Sequence, residues 1–249
     1  MTNSERKAAL KTDFIEKRGY WSGFWDGLLE LAPDFFENYL NYSAIPWSGG
    51  PLEPKVKEFI YTAIDVATTH LYEPGLQIHL ENALRYGATP QEIMEVYRLC
   101  ASMGVATNLL GSHLLNKELT RRGLPIDGGA KDPELQAAFE DAFGYWDESA
   151  AAWQRLDPAS FVAALETWGP MKDSPLDKKT SAFVMIAVTT AATHLNEHAA
   201  QAFIGQALDA GASKEEILEV FQLASVLGMH SCTLGVPILM DKIKPQMTV

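Results

Sequence analysis

ATTHLYEPGLQIHLENALRYGATPQEIMEV, residues 67–96, and AATHLNEHAAQAFIGQALDAGASKEEILEV, residues 191–220, are edited copies of one another. Thr69-His70-Leu71 matches Thr193-His194-Leu195, and the same offset of 124 carries Glu73 to Glu197 and Ala83-Leu84 to Ala207-Leu208. It also carries Gly87-Ala88 to Gly211-Ala212, Glu92-Ile93 to Glu216-Ile217, Glu95-Val96 to Glu219-Val220, Gly104 to Gly228 and Gly111 to Gly235. So many matches without a gap mean an internal duplication, which must be settled before any other feature of the fold.

Upstream the match continues with a one-residue slip. Gly19-Tyr20-Trp21 recurs at 144–146, and Pro33 and Phe36 recur as Pro158 and Phe161. Two units of about 120 residues follow, 1–125 and 126–249, joined by the Gly- and Pro-rich RRGLPIDGGAKDPEL at 121–135.

Each unit reads as helical. Residues 52–71 are apolar at helical spacing (Val56, Phe59, Ile60, Ala63, Ile64, Ala67), which predicts a long helix ending near Thr69-His70-Leu71. Residues 73–86 predict an amphipathic helix with Leu76, Leu80, Ala83 and Leu84 on its inner face, stopped by Gly87. Thr89-Pro90-Gln91-Glu92 then reads as an N-cap, a first-turn proline and a capping-box glutamate, repeated as Ser213-Lys214-Glu215-Glu216. A last helix runs over 99–119, interrupted near Gly104. No alternating strand pattern appears, so the expected fold is all-α.

Composition narrows the function classes. The 249 residues are 47% hydrophobic and 21% charged, an ordinary globular balance. A net charge of −12 argues against nucleic acid or an anionic membrane as partner, since both require a basic face. The start, MTNSERKAALKTDF, shows no apolar leader, and no apolar run approaches the roughly 20 residues of a membrane span. Cys100 and Cys232 lie far apart in apolar helical contexts and are expected to be buried free thiols of a cytosolic protein.

The segment EPGLQIHLENALRYGATPQEIMEV resembles the carboxymuconolactone decarboxylase superfamily, which includes the alkylhydroperoxidase D-like proteins. Both halves resemble the family unit, and Gly-Ala-x-x-x-Glu-Ile-x-Glu-Val is a good marker of it. In the redox branch a Cys-x-x-Cys stands seven and four residues before a histidine. Counting back from His79, those places hold Tyr72 and Gly75; the second half has Phe203 at the histidine place, with Asn196 and Ala199 at the thiol places. Thiol-based peroxide reduction is therefore excluded, because no dithiol exists to attack and resolve. The resemblance instead implies acid–base chemistry on a small carboxylated lactone, without metal or organic cofactor, in ring-shaped assemblies. For a fused duplicate it implies a homo-oligomer, a trimer of tandem units.

The candidate residues follow. His79 is the expected proton donor or acceptor, since imidazole titrates near neutrality and its place matches the family histidine. Glu58 and Asp65 lie seven residues apart on one helix face. Glu58 approximates the family glutamate, and Asp65 is an acid in an apolar run, costly unless paired, so either could orient His79, and Asp65 could alternatively act as a base with a raised pKa. His70 recurs as His194 and also reads as a helix C-terminal cation. With His79 it lacks a convincingly spaced third ligand, so no metal is expected. Tyr72, Asn108 and His113 are candidate substrate contacts, while Arg85 and Arg98 are the nearest arginines for a substrate carboxylate. The second unit has Ala182, Thr189, Asn196 and Phe203 in place of Glu58, Asp65, Tyr72 and His79, so the first unit is expected to carry the reaction. Two other classes stay open: a non-catalytic binding or assembly protein, and a hydratase, isomerase or hydrolase on the same fold.

Overall fold

Each unit folds into the same helical series, and the duplication sets the architecture. The first contains α1 (Asn3–Arg18), α2 (Phe24–Leu31), α3 (Pro33–Ser43), α4 (Pro54–Val66), α5 (Glu73–Arg85), α6 (Pro90–Ala101) and α7 (Val105–Arg122). The second contains α8 (Pro133–Phe143), α9 (Glu148–Leu156), α10 (Pro158–Trp168), α11 (Lys178–Thr190), α12 (Glu197–Asp209), α13 (Lys214–Ser225) and α14 (His230–Met247). The structure, a computed structural model, describes residues 2–247 apart from 127, 130, 170 and 172, and no strand occurs among the described residues.

Local chemistry explains the repeated punctuation. Thr89 accepts from the Glu92 N–H while the Glu92 carboxylate accepts from the Thr89 N–H, and Ser213 and Glu216 make the same capping box. Gly87 and Gly211 both sit at φ 83°, where a side chain would be strained. α4 begins at Pro54 and ends at Val66, earlier than its apolar run predicts. The chain leaves the helix at Ala67, whose carbonyl accepts from His70 N (2.8 Å) and Leu71 N (3.0 Å). Leu71 then takes φ 48°, and Leu195 does the same at φ 45°. Thr-His-Leu is thus a tight turn preserved in both units, held despite a non-glycine residue in the left-handed region, which costs on the order of 1 kcal/mol or more. His70 lies outside the helix and caps no dipole.

The paired helices α4 and α11 pack on one another and on α5, α6, α12 and α13, so one cluster of buried side chains passes through both units. Phe59, Ile60 and Ile64 of α4 and Phe183, Val184 and Ile186 of α11 lie at its centre. Leu84 is exposed; the face that α5 buries holds Gly75, His79, Asn82 and Ala83. Cys100 is buried, its thiol pushed up to about 12 by burial, whereas Cys232 is only half-buried. Trp21 and Trp146 pack equivalently against Phe14 and Phe139, at centroid distances of 5.4 and 5.7 Å.

The last helix of each unit crosses to the other. α7 packs against α9, where Val105 and Leu109 join Phe139, Phe143, Trp153 and Phe161 in a second buried cluster. Reciprocally, α14 packs against α2, with Val236 and Met240 lying where a Cβ on Gly27 would stand.

The family-marker glutamates tie the units together. Glu219 of α13 accepts from Leu52 N (2.8 Å) and lies 2.9 Å from Lys57 Nζ on α4, with both side chains buried. Its counterpart Glu95 pairs with Arg98 at 2.7 Å and accepts from Ser174 Oγ at 3.3 Å, while Arg98 also donates to the Trp168 carbonyl at 2.7 Å. Lys214–Ile243 is long and apolar enough by composition to cross a membrane, a run the sequence reading did not register. A 3₁₀ turn at Val226–Met229 interrupts it, and Val220, Leu223 and Ala224 are spent on the core.

Candidate functional site

Elements of both units converge on His79. From α4, Glu58 Oε2 lies 2.7 Å from His79 Nδ1. An ionised carboxylate can only accept, so Nδ1–H donates to it and Nε2 is the nitrogen left for chemistry. Asn82, one turn along α5, donates to Glu58 Oε1 at 3.2 Å, and Arg85 donates to Asn82 Oδ1 at 2.8 Å. The carboxylate is therefore fixed on both oxygens. Tyr61 stacks on the imidazole (4.5 Å, 29°), and burial pushes its phenol up to about 12, so it stays a neutral donor.

Arg18, at the end of α1, completes this side. It is buried and donates to the Ser43 carbonyl (3.1 Å) and to Tyr61 Oη (3.3 Å), while its Nε has no hydrogen-bond partner. Neither Arg85 nor Arg98 takes this position. With Tyr61, Tyr72, Gly75, His79 and His230, Arg18 lines a cavity of about 20 Å³, roughly the space of one water.

Asp65 behaves differently from Glu58 although both sit on α4. It does not orient His79; instead its Oδ1 lies 3.5 Å from Nε2 of His230, which α14 brings across from the second unit. That contact is off hydrogen-bond alignment, and both Asp65 oxygens lack a hydrogen-bond partner at 1% exposure. Burial pushes the carboxyl up to about 7, Glu58 adding to the rise and His79 opposing it. Gly75 makes room for it: a Cβ there would meet Asp65 Oδ2 and the Tyr72 ring. His230 is pushed down to about 3, chiefly by burial and then by His70 and His79, so it is neutral. Its Nδ1 lies 2.7 Å from His70 Nε2, and Tyr72 stacks on its ring at 4.1 Å. The Tyr72 hydroxyl is 2.5 Å from Thr233 Oγ1.

The sequence-derived candidates thus separate. Glu58, His79, Asp65, His70 and Tyr72 come together, whereas Asn108 is exposed, His113 is half-buried, and neither lines the cavity. Both lie on α7, which crosses to the second unit and takes them away from the site. Arg18, Tyr61, Asn82 and His230 were missed. A buried-face reading of α5 could have found Asn82, three residues after His79.

The matching place in the second unit is a cleft of about 860 Å³. Phe143, Ala182, Met185 and Phe203 line it where the first unit has Arg18, Glu58, Tyr61 and His79. Ala106 holds the place of His230.

Fold and site together define an internally duplicated all-α protein in which a buried His–Glu pair stands beside Tyr72 and Gly75, the residues at the two thiol places. The profile of the carboxymuconolactone decarboxylase family matches residues 33–111, within the first unit. A solved candidate gamma-carboxymuconolactone decarboxylase subunit from Burkholderia xenovorans LB400 is 33% identical, with a TM-score of 0.90 over 96% of this chain and 98% of that one. The chain belongs to the carboxymuconolactone decarboxylase family. No curated protein matches it significantly.

Proposed function

We propose that the first unit catalyses proton transfer coupled to decarboxylation or isomerisation of a small carboxylated lactone or related enolisable acid. The observation that carries this reading is the buried Glu58–His79 pair at 2.7 Å, bordering a cavity that also receives Arg18. In decarboxylation the C–C bond to the carboxylate breaks and its electron pair delocalises into a neighbouring carbonyl. A proton from His79 Nε2 then completes the product, and Glu58 stabilises the charged ring that supplies it. In isomerisation the neutral Nε2 first removes a proton and returns it elsewhere. Tyr61 and Tyr72 are two of the hydroxyls beside the cavity, with Tyr20, Tyr39 and Thr233, and are the ones proposed to face a developing oxyanion. The cavity is far smaller than the roughly 300–1,000 Å³ of a typical ligand pocket, so substrate entry requires the elements that line it to move apart.

Arg18 supplies the cation for a substrate carboxylate, its unpartnered Nε being the available donor. Arg18→Lys is expected to raise KM about tenfold, the loss of one 1.4 kcal/mol contact, with kcat changed much less. Steady-state kinetics check this, and an unchanged KM removes Arg18 from substrate binding. The reading as a whole is tested by a panel of carboxylated lactones and β-keto acids, assayed for CO₂ release and for isomerisation. No turnover on any member counts against it and favours a binding role, for which the open cleft of the second unit is the evident place.

Assembly belongs to the same proposal. Leu110, Leu114 and Leu115 of α7 and Leu234, Ile238 and Leu239 of α14 are exposed at matching positions, forming two equivalent apolar faces on one chain. Faces of this kind favour association, and a trimer of tandem units is the expected species by sedimentation. A stable monomer at micromolar concentration rejects it.

A further inference from the structure

We infer that Asp65, His70 and His230 form a binding site for a divalent transition-metal ion of the Zn²⁺ class, built across the two units. One ligand atom from each lies within 4.8 Å of the other two. One carboxylate oxygen and two imidazole nitrogens suit zinc, iron(II) or cobalt(II); calcium and magnesium prefer all-oxygen sets.

Asp65 is the independent sign that something belongs there. Its side chain is 1% exposed and aimed at His230, yet neither oxygen has a hydrogen-bond partner. A buried carboxyl left in that state is costly unless it is paired or bound to a metal. Gly75, the position whose lack of a side chain makes room for this carboxyl, stands beside it.

The donors are not demanded by the fold. At the matching places the second unit has Thr189, His194 and Ala106, keeping one donor of three while forming the same helices and the same turn. The trio is therefore specific to one site, like Arg18, Glu58 and His79.

Without an ion, His70 and His230 share a hydrogen bond through their facing nitrogens. An ion at ~2.0–2.1 Å from each donor needs ligand atoms about 3.3 Å apart. His230 faces His70 with Nδ1 and Asp65 with Nε2, so an ion on Nε2 beside Asp65 requires the partly exposed His70 ring to swing to that side. Three protein donors leave a fourth position free, as in catalytic rather than structural zinc sites, and the cavity shared by His230 and His79 adjoins it. The sequence hides this site because its third ligand lies 160 residues from His70.

The test uses the full-length protein after chelator treatment, titrated with Zn²⁺ by calorimetry and with Co²⁺ by visible absorption. One ion per chain is expected, with Co²⁺ bands of four-coordinate intensity. His230→Ala, which copies the second unit, and Asp65→Asn are each expected to weaken binding at least 100-fold, with far-UV circular dichroism unchanged. His79→Ala is expected to keep the affinity within about threefold, so failure here is separable from failure of the proposed reaction. Should His230→Ala not fold, His70→Gln at the partly exposed ligand gives the same readout. Absence of stoichiometric binding by wild type, or equal affinity in these variants, overturns the site. Loss of turnover in His230→Ala of a protein that binds no ion likewise overturns it and assigns the trio to a hydrogen-bonded proton relay.

Discussion

Replacing His79 by alanine is expected to lower turnover by about 10²–10⁴-fold, the usual contribution of a positioned acid–base group. The geometry explains why the loss should fall on kcat. His79 lines a cavity while its Nδ1 is committed to Glu58, whose other oxygen is held by Asn82, which leaves Nε2 for chemistry. No other imidazole takes that place: His230 is engaged with His70 and pushed down to about 3. Glu58→Gln is expected to lose less, because an amide still positions the ring but no longer stabilises its charged form. Equal turnover by wild type and His79→Ala on a substrate that the wild type converts sinks the assignment.

Glu219→Ala is expected to cost about 3–5 kcal/mol of stability, the penalty for leaving one partner of a buried ion pair uncompensated. Lys57 would be left at 5% exposure with the Pro46 carbonyl at 2.5 Å and the Trp47 ring at 5.3 Å but no counter-charge, and Leu52 N–H would lose its acceptor. For a chain of this size the melting temperature should fall by roughly 10 °C. A Lys57→Met/Glu219→Leu double variant should recover much of it, since exchanging both charges for apolar groups of similar volume is commonly near neutral. Scanning calorimetry of the three proteins decides the matter, and a loss below about 1 kcal/mol in Glu219→Ala shows that the clamp does not hold the units together.

What the sequence made legible was what is written locally. Capping boxes, glycine stops and apolar periodicity lie within a few residues of the structures they specify, so the helices and the duplication could be read directly. Glu58 and His79 were also accessible, being 21 residues apart on consecutive helices that pack as a pair. The end of α4 was misjudged because apolar spacing continues through Ala67 while the backbone turns to satisfy the Tyr72 and Asp65 peptide groups. Arg18 and His230 were beyond reach for another reason. Each arrives through a long-range packing choice that no periodicity encodes: α1 folding back over α3 and α4, and α14 crossing to the other unit. The same crossing explains why Asn108 and His113 were assigned to the wrong neighbourhood.

The exchange of last helices has a consequence for how such a site can arise. In a symmetric pair of single-unit chains, both crossing helices would be products of one gene, and a histidine gained on one would appear on both. Covalent fusion removes that constraint. Here α14 carries His230 where α7 carries Ala106, and α1 ends in Arg18 where α8 ends in Phe143. One polypeptide thus presents two inequivalent units, and the difference between their two corners is written into its primary structure rather than produced by communication between sites.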